Sequence, residues 1–366
     1  MTVGDGSGTT ASEPAPTTRG ATTRGAAART AAERRLEAPH RRGGASPRIV
    51  ERLAVAGYRA TSWLLASLPP RPAAAIIGWL SQLSYLAWPT KRRWSNRNFG
   101  HVLGLPPDHP RVRSEALRAY AGYGRYLVEL MRLPSRPQEE LIARVPDLDV
   151  EGVKTIWREA PDGGGLILAV GHVGSNEAVA AAIAHHGMPI SVVADDSAFP
   201  EIFEILRRQR ESWGVKIIAW RNLREIFGVL RRREMLGLLV DWGYRSDGIP
   251  VRFFGAWTAL PAGPATLAAK SGSRILPVAI RRRPDDTFHI SWNEPIEAPS
   301  SDPADLQRVT QLMADALAAT IAAAPDQWYS FKPMWPATDE EAADLERRAV
   351  IMRSGLPDPG PAKAFA

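Results

Sequence analysis

The sequence contains seven histidines, and one of them lies where an α/β sheet usually binds its ligands. His172 follows a short apolar run, Leu166 to Val170, that is typical of a strand, and a predicted helix comes directly after it. Glu177 is five residues further on. A histidine oriented by a carboxylate is a general base for a hydroxyl nucleophile, and such a base accelerates reactions by about 10²–10⁴-fold.

The spacing of His172 and Glu177 decides whether their side chains can meet. On one continuous helix, residues five apart point about 140° from each other, so His172 must lie in the turn and Glu177 must open the helix. Gly171 and Gly174 favour such a turn, and Ser175 is a suitable N-cap. The alternative is a structural turn histidine beside an acid that stabilises the helix terminus. The His-Glu-x-x-His spacing of a zinc site is absent from the sequence.

The composition excludes several kinds of site. The 366 residues include no cysteine, so a disulfide scaffold, a cysteine nucleophile and a thiolate metal site are excluded. The formal net charge of +7 favours an anionic partner such as nucleic acid, a membrane surface or a charged substrate. Residues 1–50 hold eight arginines and four acidic residues, and therefore more than half of this excess. No aromatic residue is interleaved with these arginines, which weakens the case for nucleic-acid binding.

Beyond residue 160, short runs rich in Val and Ile alternate with helical stretches. The strand-like runs are Gly165–Val170, Pro189–Ala194, Val215–Ala219, Met235–Val240 and Ile275–Ile280, with an edge strand predicted over Thr287–Trp292. The predicted helices are Glu177–His186, Phe199–Trp213, Leu223–Arg233 and Asp302–Ala324. This alternation predicts an α/β fold with a mainly parallel central sheet flanked by helices.

The composition divides the chain into regions. Residues 1–46 have almost no large apolar side chains and are predicted to be a disordered Arg-rich tail. Residues 47–150 are predicted to be a hydrophobic and amphipathic helical region that contacts a membrane, 151–340 the α/β core, and 341–366 a helix end with a loose tail. Residues 72–90 carry no charge and precede Lys91-Arg92-Arg93. A membrane span, a helix in the bilayer interface and a core helix all stay open for them.

Further motifs occur in order along the chain. They are Arg93 with Asn96 to Phe99, Glu129 within Tyr126–Leu130, Asp241 followed by Gly248–Gly255, then Pro261–Ala265, Ile275–Val278 and Pro325–Tyr329. With His172, four residues and Glu177, this ordered set resembles the lysophospholipid acyltransferase superfamily. Within it the chain resembles the lipid A biosynthesis (lauroyl/myristoyl) acyltransferases, and especially the phosphatidylinositol mannoside acyltransferases. The resemblance covers roughly residues 50–335.

Three positions depart from the pattern of these families. Ser175 and Asn176 stand where the families usually have Asn and Trp, and Trp242 follows Asp241 where the lipid A enzymes commonly have Gln. The histidine and both acids are kept, so the departures concern the acceptor more than the chemistry.

The resemblance implies an O-acyltransferase that moves a fatty acyl chain from acyl-CoA or acyl carrier protein to a hydroxyl of a membrane glycolipid, such as a phosphatidylinositol mannoside. His172 would take the hydroxyl proton, and Glu177 would hold the imidazole tautomer. The thioester already activates the acyl group, so we expect no metal and no redox cofactor.

The same resemblance implies the partners of the protein. The expected partners are the lipid acceptor, the thioester donor and an anionic surface at the cytoplasmic face of the plasma (inner) membrane, with peripheral or monotopic attachment and no nucleic acid. The alternatives are a lipid A-type or lysophospholipid acyltransferase, and a non-catalytic membrane-lipid-binding protein on the same fold.

Other residues are candidates for supporting roles. Asp241 follows the predicted strand Met235–Val240, so it is a candidate second carboxylate beside His172 or a residue that positions the acceptor, with a loop cap as the alternative. Arg245 and Arg252 are candidates for phosphate contacts, with solvated surface arginines as the alternative.

The motif around the second arginine also suggests an apolar wall and an oxyanion site. A wall for the acyl chain, with plain core packing as the alternative, is suggested for Phe253, Phe254 and Gly255. Backbone amides near Gly174 or Arg252 are candidate donors to the oxyanion of the tetrahedral intermediate.

Overall fold

The computed structural model of the chain describes residues 47–160, 165–195 and 200–354. The tail predicted over residues 1–46 and the loose tail at residues 355–366 lie outside the described residues, as does the first residue of the helix predicted from Phe199.

Four helices that each begin with proline form the N-terminal part of the described chain. They are α1 (Pro47–Ser67), α2 (Pro70–Ala87), α3 (Pro89–Leu103) and α4 (Pro110–Arg132). Proline suits the first helical position because its missing N–H would have no partner there. A 3₁₀ turn (Leu133–Ser135) and two short helices, α5 (Gln138–Ile142) and α6 (Val150–Arg158), lead to the sheet. Within the described ranges, no helix combines the length and the apolar character that a membrane crossing requires.

Helix α2 has one face against α4 and one face in solvent. Its buried residues are Ala73, Gly78 and Tyr85. The two helices approach so closely that a Cβ atom on Gly124 would lie 2.6 Å from the Cα atom of Gly78. The opposite face is apolar yet exposed, and its residues recur at helical spacing: Ile76, Trp79, Leu80, Leu83 and Leu86. We call these five residues the α2 stripe.

A six-stranded sheet forms the centre of the described part of the chain. Its strands are β1 (Leu166–Val170), β2 (Ile190–Ala194), β3 (Val215–Ala219), β4 (Met235–Leu239), β7 (Arg274–Arg282) and β8 (Phe288–Trp292). The spatial order is β3-β2-β4-β1-β7-β8, and every neighbouring pair is parallel except β7 with β8. The prediction of an α/β fold with a mainly parallel central sheet flanked by helices is confirmed.

Helices connect the strands and cover the sheet. They are α7 (Asn176–His185), α8 (Pro200–Glu211), α9 (Leu223–Arg231), α10 (Gly263–Ser271), α11 (Pro303–Ala323) and α12 (Asp339–Ser354), with a second 3₁₀ turn at Pro325–Gln327. The central strands are almost wholly buried, as their continuous apolar runs predict.

An antiparallel hairpin outside the main sheet was not anticipated from the sequence. It consists of β5 (Ile249–Phe253) and β6 (Ala256–Leu260). Its two-residue turn is Phe254-Gly255, and both residues have positive φ, +48° and +77°. Such a turn matches the right-handed twist of the flanking strands, and glycine takes this conformation freely.

The sheet order explains where a site can form. Strand β1 lies beside β4 in parallel, with Val170 opposite Leu239, so the segments that follow both strands leave the sheet at the same edge. The residues just beyond are His172 on one side and Asp241 on the other. Parallel sheets bind their ligands at this carboxyl edge.

Candidate active site

Neighbouring residues pack closely against the glycine of the turn between β1 and α7. Gly174 has φ +67°, and a Cβ atom there would lie 2.8 Å from Cγ2 of Ile280. The main chain of the turn is tied to a distant segment, since the Tyr329 amide donates to the His172 carbonyl over 2.8 Å. Ser175 is at the predicted N-cap position, but its side chain makes no capping hydrogen bond in the described structure. The packing therefore leaves the His172 backbone one well-defined position.

Asp241 holds the His172 ring. Its Oδ1 atom is 2.6 Å from Nδ1 of the imidazole, and the His172 amide donates to both carboxylate oxygens over 3.1 and 2.9 Å. The indole Nε1 of Trp328 donates to Oδ2 over 2.8 Å. The Asp241 residue is 1% exposed, whereas 28% of the His172 side chain is exposed. With the proton on Nδ1 facing the carboxylate, the Nε2 lone pair is left to accept a proton.

Charge and burial act in opposite directions on this pair. Burial by itself would lower the pKa of His172, but the charge and hydrogen bond of Asp241 outweigh it, and the pKa is raised above 6.5. Burial would raise the pKa of Asp241, yet the interactions with His172 and the Trp328 indole lower it below 3.8. The pair is therefore stabilised as a carboxylate beside an imidazole that takes up a proton readily.

Glu177 makes a different set of contacts from the one expected. The sequence predicts that Glu177 orients His172, whereas in the structure Asp241, the candidate second carboxylate, makes the hydrogen bond to the ring. The Oε1 atom of Glu177 instead accepts from Arg210 of α8 over 2.8 Å and from the Tyr126 hydroxyl over 3.3 Å. Its Oε2 atom is buried without a hydrogen-bond partner among the described residues. The charge of Glu177 is still close enough to contribute to the raised pKa of His172.

The two arginines predicted to contact phosphate are paired with acids. Arg245 forms two parallel hydrogen bonds with Asp247, 2.9 and 2.8 Å long. Arg252 lies over the Trp257 ring, with 5.0 Å between its guanidinium carbon and the ring centroid, and is 3.6 Å from Glu346. The Arg252 amide, predicted as an oxyanion donor, already donates to Gln311 over 2.8 Å. None of these contacts involves His172.

The Phe-Phe-Gly block has a structural position in the hairpin. Phe253 is fully buried and stacks on Trp335, with 5.5 Å between ring centroids, so the core-packing alternative describes it. Phe254 and Gly255 form the turn. Phe254 also lines an open cleft of about 670 Å³ together with His101 and three arginines of α3 and α4, which are Arg93, Arg97 and Arg113.

Several residues of the site were not singled out as functional from the sequence. Trp328 belongs to a segment that the family resemblance includes, but the resemblance gave it no role. Arg210 lies on a helix whose arginines look alike in the sequence, so no signal marked it. Trp242 lies beside the histidine, with 6.0 Å between ring centroids, and Lys332 lies over Trp242. No group of three or more potential metal ligands comes together in the ranges that the structure describes.

Comparison with known proteins decides the family. The family model described as bacterial lipid A biosynthesis acyltransferase matches residues 48–336. The chain belongs to this family. It is an acyltransferase, as the sequence motifs predicted.

This acyltransferase is also similar to curated relatives. A phosphatidylinositol mannoside acyltransferase of Mycolicibacterium smegmatis is 29% identical over 299 residues, which are 79% of this chain and 94% of the relative. Proteins of the same name from two strains of Mycobacterium tuberculosis are 28% identical over 260 residues, 69% of this chain and 80% of each relative.

Proposed function

We propose that this acyltransferase moves a fatty acyl chain from a thioester, acyl-CoA or acyl carrier protein, to a hydroxyl of a phosphatidylinositol mannoside or a similar membrane glycolipid. The observation that carries the proposal is the 2.6 Å hydrogen bond between His172 Nδ1 and Asp241, which leaves Nε2 as the open basic atom. The names of the relatives support the glycolipid acceptor.

In the proposed reaction, Nε2 of His172 takes the proton of the acceptor hydroxyl as its oxygen attacks the thioester carbonyl. The tetrahedral intermediate then collapses, the carbon–sulfur bond breaks, and the imidazolium returns the proton to the leaving sulfur. The products are an ester and a free thiol, with no covalent enzyme intermediate. Asp241 stabilises the imidazolium during the step because its carboxylate is buried and already bonded to Nδ1.

Glu177 has an electrostatic role in this proposal. Arg210 and the Tyr126 hydroxyl fix its Oε1 atom, and its charge favours the protonated state of His172. Oε2 is the unpartnered oxygen of this carboxylate, so a water molecule or a substrate hydroxyl is its natural hydrogen-bond partner.

The α2 stripe supports attachment to a membrane surface. Ten of the fifteen large hydrophobic side chains that are exposed in the described residues lie between Leu53 and Trp88, on α1, α2 and their junctions. The basic residues Lys91, Arg92 and Arg93 follow directly, and the Lys91 ammonium lies 4.7 Å from the Trp94 ring centroid. Apolar and indole side chains beside cations suit the interface of an anionic bilayer. We place the enzyme there, on the cytoplasmic face of the plasma membrane.

The proposal is tested by incubating the purified protein and the His172→Ala variant with a long-chain acyl-CoA and a membrane lipid extract. Free thiol and the masses of the lipids are both measured. We expect a lipid to gain one acyl mass with the native protein, together with an equal amount of thiol. The loss on removal of the base should be about 10²–10⁴-fold.

His185→Ala is the matched control, because His185 is exposed at the far end of helix α7, which follows the His172 turn. It should keep native activity. Equal activity in the His172→Ala variant would contradict the role of His172, and thiol release without an acylated lipid would contradict the transferase assignment. If acyl-CoA gives no product, an acyl carrier protein thioester replaces it in the same assay.

A further inference from the structure

A lysine ammonium is held beside the histidine of the site. The Nζ atom of Lys332 lies 3.6 Å from the ring centroid of Trp242, and that ring is 6.0 Å from the His172 ring. Trp242 is 45% exposed and Lys332 is also exposed, so both side chains are open to an incoming molecule. A cation over an indole face is stabilised by the ring quadrupole, which keeps the long side chain in one place.

The backbone of Lys332 is fixed by several contacts. Asn98 of α3 donates to the Lys332 carbonyl over 2.7 Å and to the Ser330 carbonyl over 3.0 Å. The Tyr244 amide donates to the Pro333 carbonyl over 2.8 Å. The segment that carries Lys332 is therefore tied both to α3 and to the loop after β4.

Gly243 lies against the lysine side chain. Its φ is +122°, and a Cβ atom there would lie 3.4 Å from Cβ and 3.7 Å from Cδ of Lys332. This positive φ favours glycine, and the loop that adopts it runs beside the lysine stem at van der Waals distance. The loop after β4 and the segment that carries Lys332 therefore both determine where the ammonium lies.

Charges of both signs act on Lys332. Lys91 lowers its pKa and Asp195 raises it. Burial and the nearby Lys91 lower the pKa of Lys332, and an anionic ligand would reverse that effect. Lys332 in turn lowers the pKa of His172, which shows how close its charge is to the reacting group.

We propose that Lys332, held over Trp242, binds a phosphate group of one of the two substrates and so positions that substrate at His172. The proposal rests on the proposed function, because both expected substrates carry phosphate: the thioester donor in its nucleotide or phosphopantetheine part, and the glycolipid acceptor in its phosphodiester. Lysine binds phosphate as a point charge that several orientations satisfy. Lys332 acts in substrate binding and takes no part in the proton transfer.

The test compares substrates with and without phosphate in the Lys332→Gln variant. The donors are a long-chain acyl-CoA and the same acyl chain on N-acetylcysteamine. The acceptors are a phosphatidylinositol mannoside and an alkyl mannoside without phosphate. We expect KM to rise about 10- to 100-fold for the substrate whose phosphate Lys332 holds, with kcat little changed, since a charged hydrogen bond is lost. The KM of the analogue without that phosphate should be the same for the native protein and the variant. The comparison therefore identifies which substrate supplies the phosphate.

Two variants serve as controls. Lys332→Arg should keep most of the binding, because it keeps the charge. Lys270→Gln removes an exposed lysine near the end of α10 and should leave all constants unchanged. An equal fall of kcat with every pair of substrates would overturn the proposal in favour of an oxyanion or folding role. Unchanged kinetics in Lys332→Gln would overturn it as well.

Equilibrium binding separates this proposal from the proposed function. Calorimetry with coenzyme A and with dihexanoyl phosphatidylinositol needs no turnover, and one of these ligands should bind about 10- to 100-fold more weakly to Lys332→Gln. If the native protein transfers no acyl group, the proposed function fails while this measurement still decides the role of Lys332. If neither ligand binds the native protein, or both bind the variant equally well, the phosphate site is wrong.

Discussion

The Nδ1 atom of His172 is hydrogen-bonded to Asp241, and this bond determines the orientation and the pKa of the imidazole. Asp241 is buried, but the His172 amide, the imidazole and the Trp328 indole all donate to it. A buried carboxylate without such donors would be neutral, and a neutral acid would not raise the basicity of its partner. In the proposed reaction, the indole of Trp328 therefore supports the basicity of His172 through Asp241.

The pH dependence of the reaction follows from this pair. His172 must be neutral to accept a proton, and its pKa is raised above 6.5, so activity should fall as the pH drops through that raised value. In Asp241→Asn the raising influence is removed, while burial and Lys332 still lower the pKa. We expect the acidic limb of the kcat/KM profile to move to lower pH and kcat to fall by about 10³–10⁴-fold.

Glu177→Gln is the comparison for this measurement. Asp241 raises the pKa of His172 more than Glu177 does, so the acidic limb should move less in Glu177→Gln than in Asp241→Asn. A profile that shifts further on loss of Glu177 would return the orienting role to that residue.

At the scale of elements, a buried ion cluster joins helix α4 to strand β7. Both oxygens of Glu129 accept from Arg282, over 2.6 and 2.7 Å, and Oε1 also accepts from Arg144 over 2.9 Å. Arg282 is in turn bonded through its main chain to the Gln327 side chain, over 2.7 and 2.9 Å. The cluster therefore fixes the segment that carries Trp328.

Removal of one partner of this cluster should be strongly destabilising. Glu129→Ala would leave a buried Arg282 without its main counter-charge, and we expect the free energy of unfolding to fall by about 3–5 kcal/mol. Denaturant titration followed by circular dichroism measures the change. The control is Glu140→Ala, an exposed acid 4.0 Å from Arg136, which should change stability by less than about 0.5 kcal/mol. A loss in Glu129→Ala no larger than in the control would show that the cluster contributes little.

Local patterns gave the strands of the sheet and most of its helices, because strand and helix periods are properties of short windows. The strand predicted over Val215–Ala219 is observed with those bounds, and the one predicted over Met235–Val240 differs only by one residue. The order of the strands is a property of the whole sheet, and it brings Asp241 to His172. Spacing along the chain favoured Glu177 as the partner of His172, because spacing does not show which strand lies beside β1.

The hairpin shows a second limit of local patterns. Phe254 takes a left-handed conformation that aromatic residues rarely adopt, so the sequence gives no clear turn signal there.

Long-range hydrogen bonds are a further feature that local patterns do not show. The bonds between Asn98 and the segment from Ser330 to Met334 join residues more than 230 positions apart. The family resemblance marked the Asn96–Phe99 stretch and the motif that ends at Tyr329, but only the folded chain shows that Asn98 bonds the residues just beyond that motif.

For the molecule as a whole, the exposed apolar surface is concentrated on one part of the chain. Trp79 in the α2 stripe is 59% exposed, although its helix packs closely on α4 on the other face. Soluble proteins rarely expose such an apolar stripe unless it binds a partner or a membrane. The stripe and the basic residues that follow it are the features that we expect to bind the bilayer.

Charge placed in the α2 stripe should release the protein from membranes. We expect the double variant Trp79→Glu, Leu83→Glu to bind anionic vesicles at least roughly tenfold more weakly, because two exposed apolar side chains that would enter the bilayer are replaced by carboxylates that an anionic surface repels. Co-sedimentation with vesicles of phosphatidylglycerol and phosphatidylcholine measures this. The matched control, Leu312→Glu, changes an exposed leucine of α11 and should bind normally. Unchanged binding of the double variant would exclude the stripe as the contact surface.

The bond between the Tyr329 amide and the His172 carbonyl also has a consequence for biosynthesis. The ribosome makes the chain from its N terminus, so the strands that present His172 and Asp241 emerge well before Trp328 and Tyr329. Until those two residues arrive, the buried carboxylate lacks its indole donor and the catalytic turn lacks its anchor. A nascent or prematurely terminated chain would hold every strand of the sheet and still be without a finished site. The enzyme should therefore gain its activity only after the segment that carries Trp328 and Tyr329 has been made.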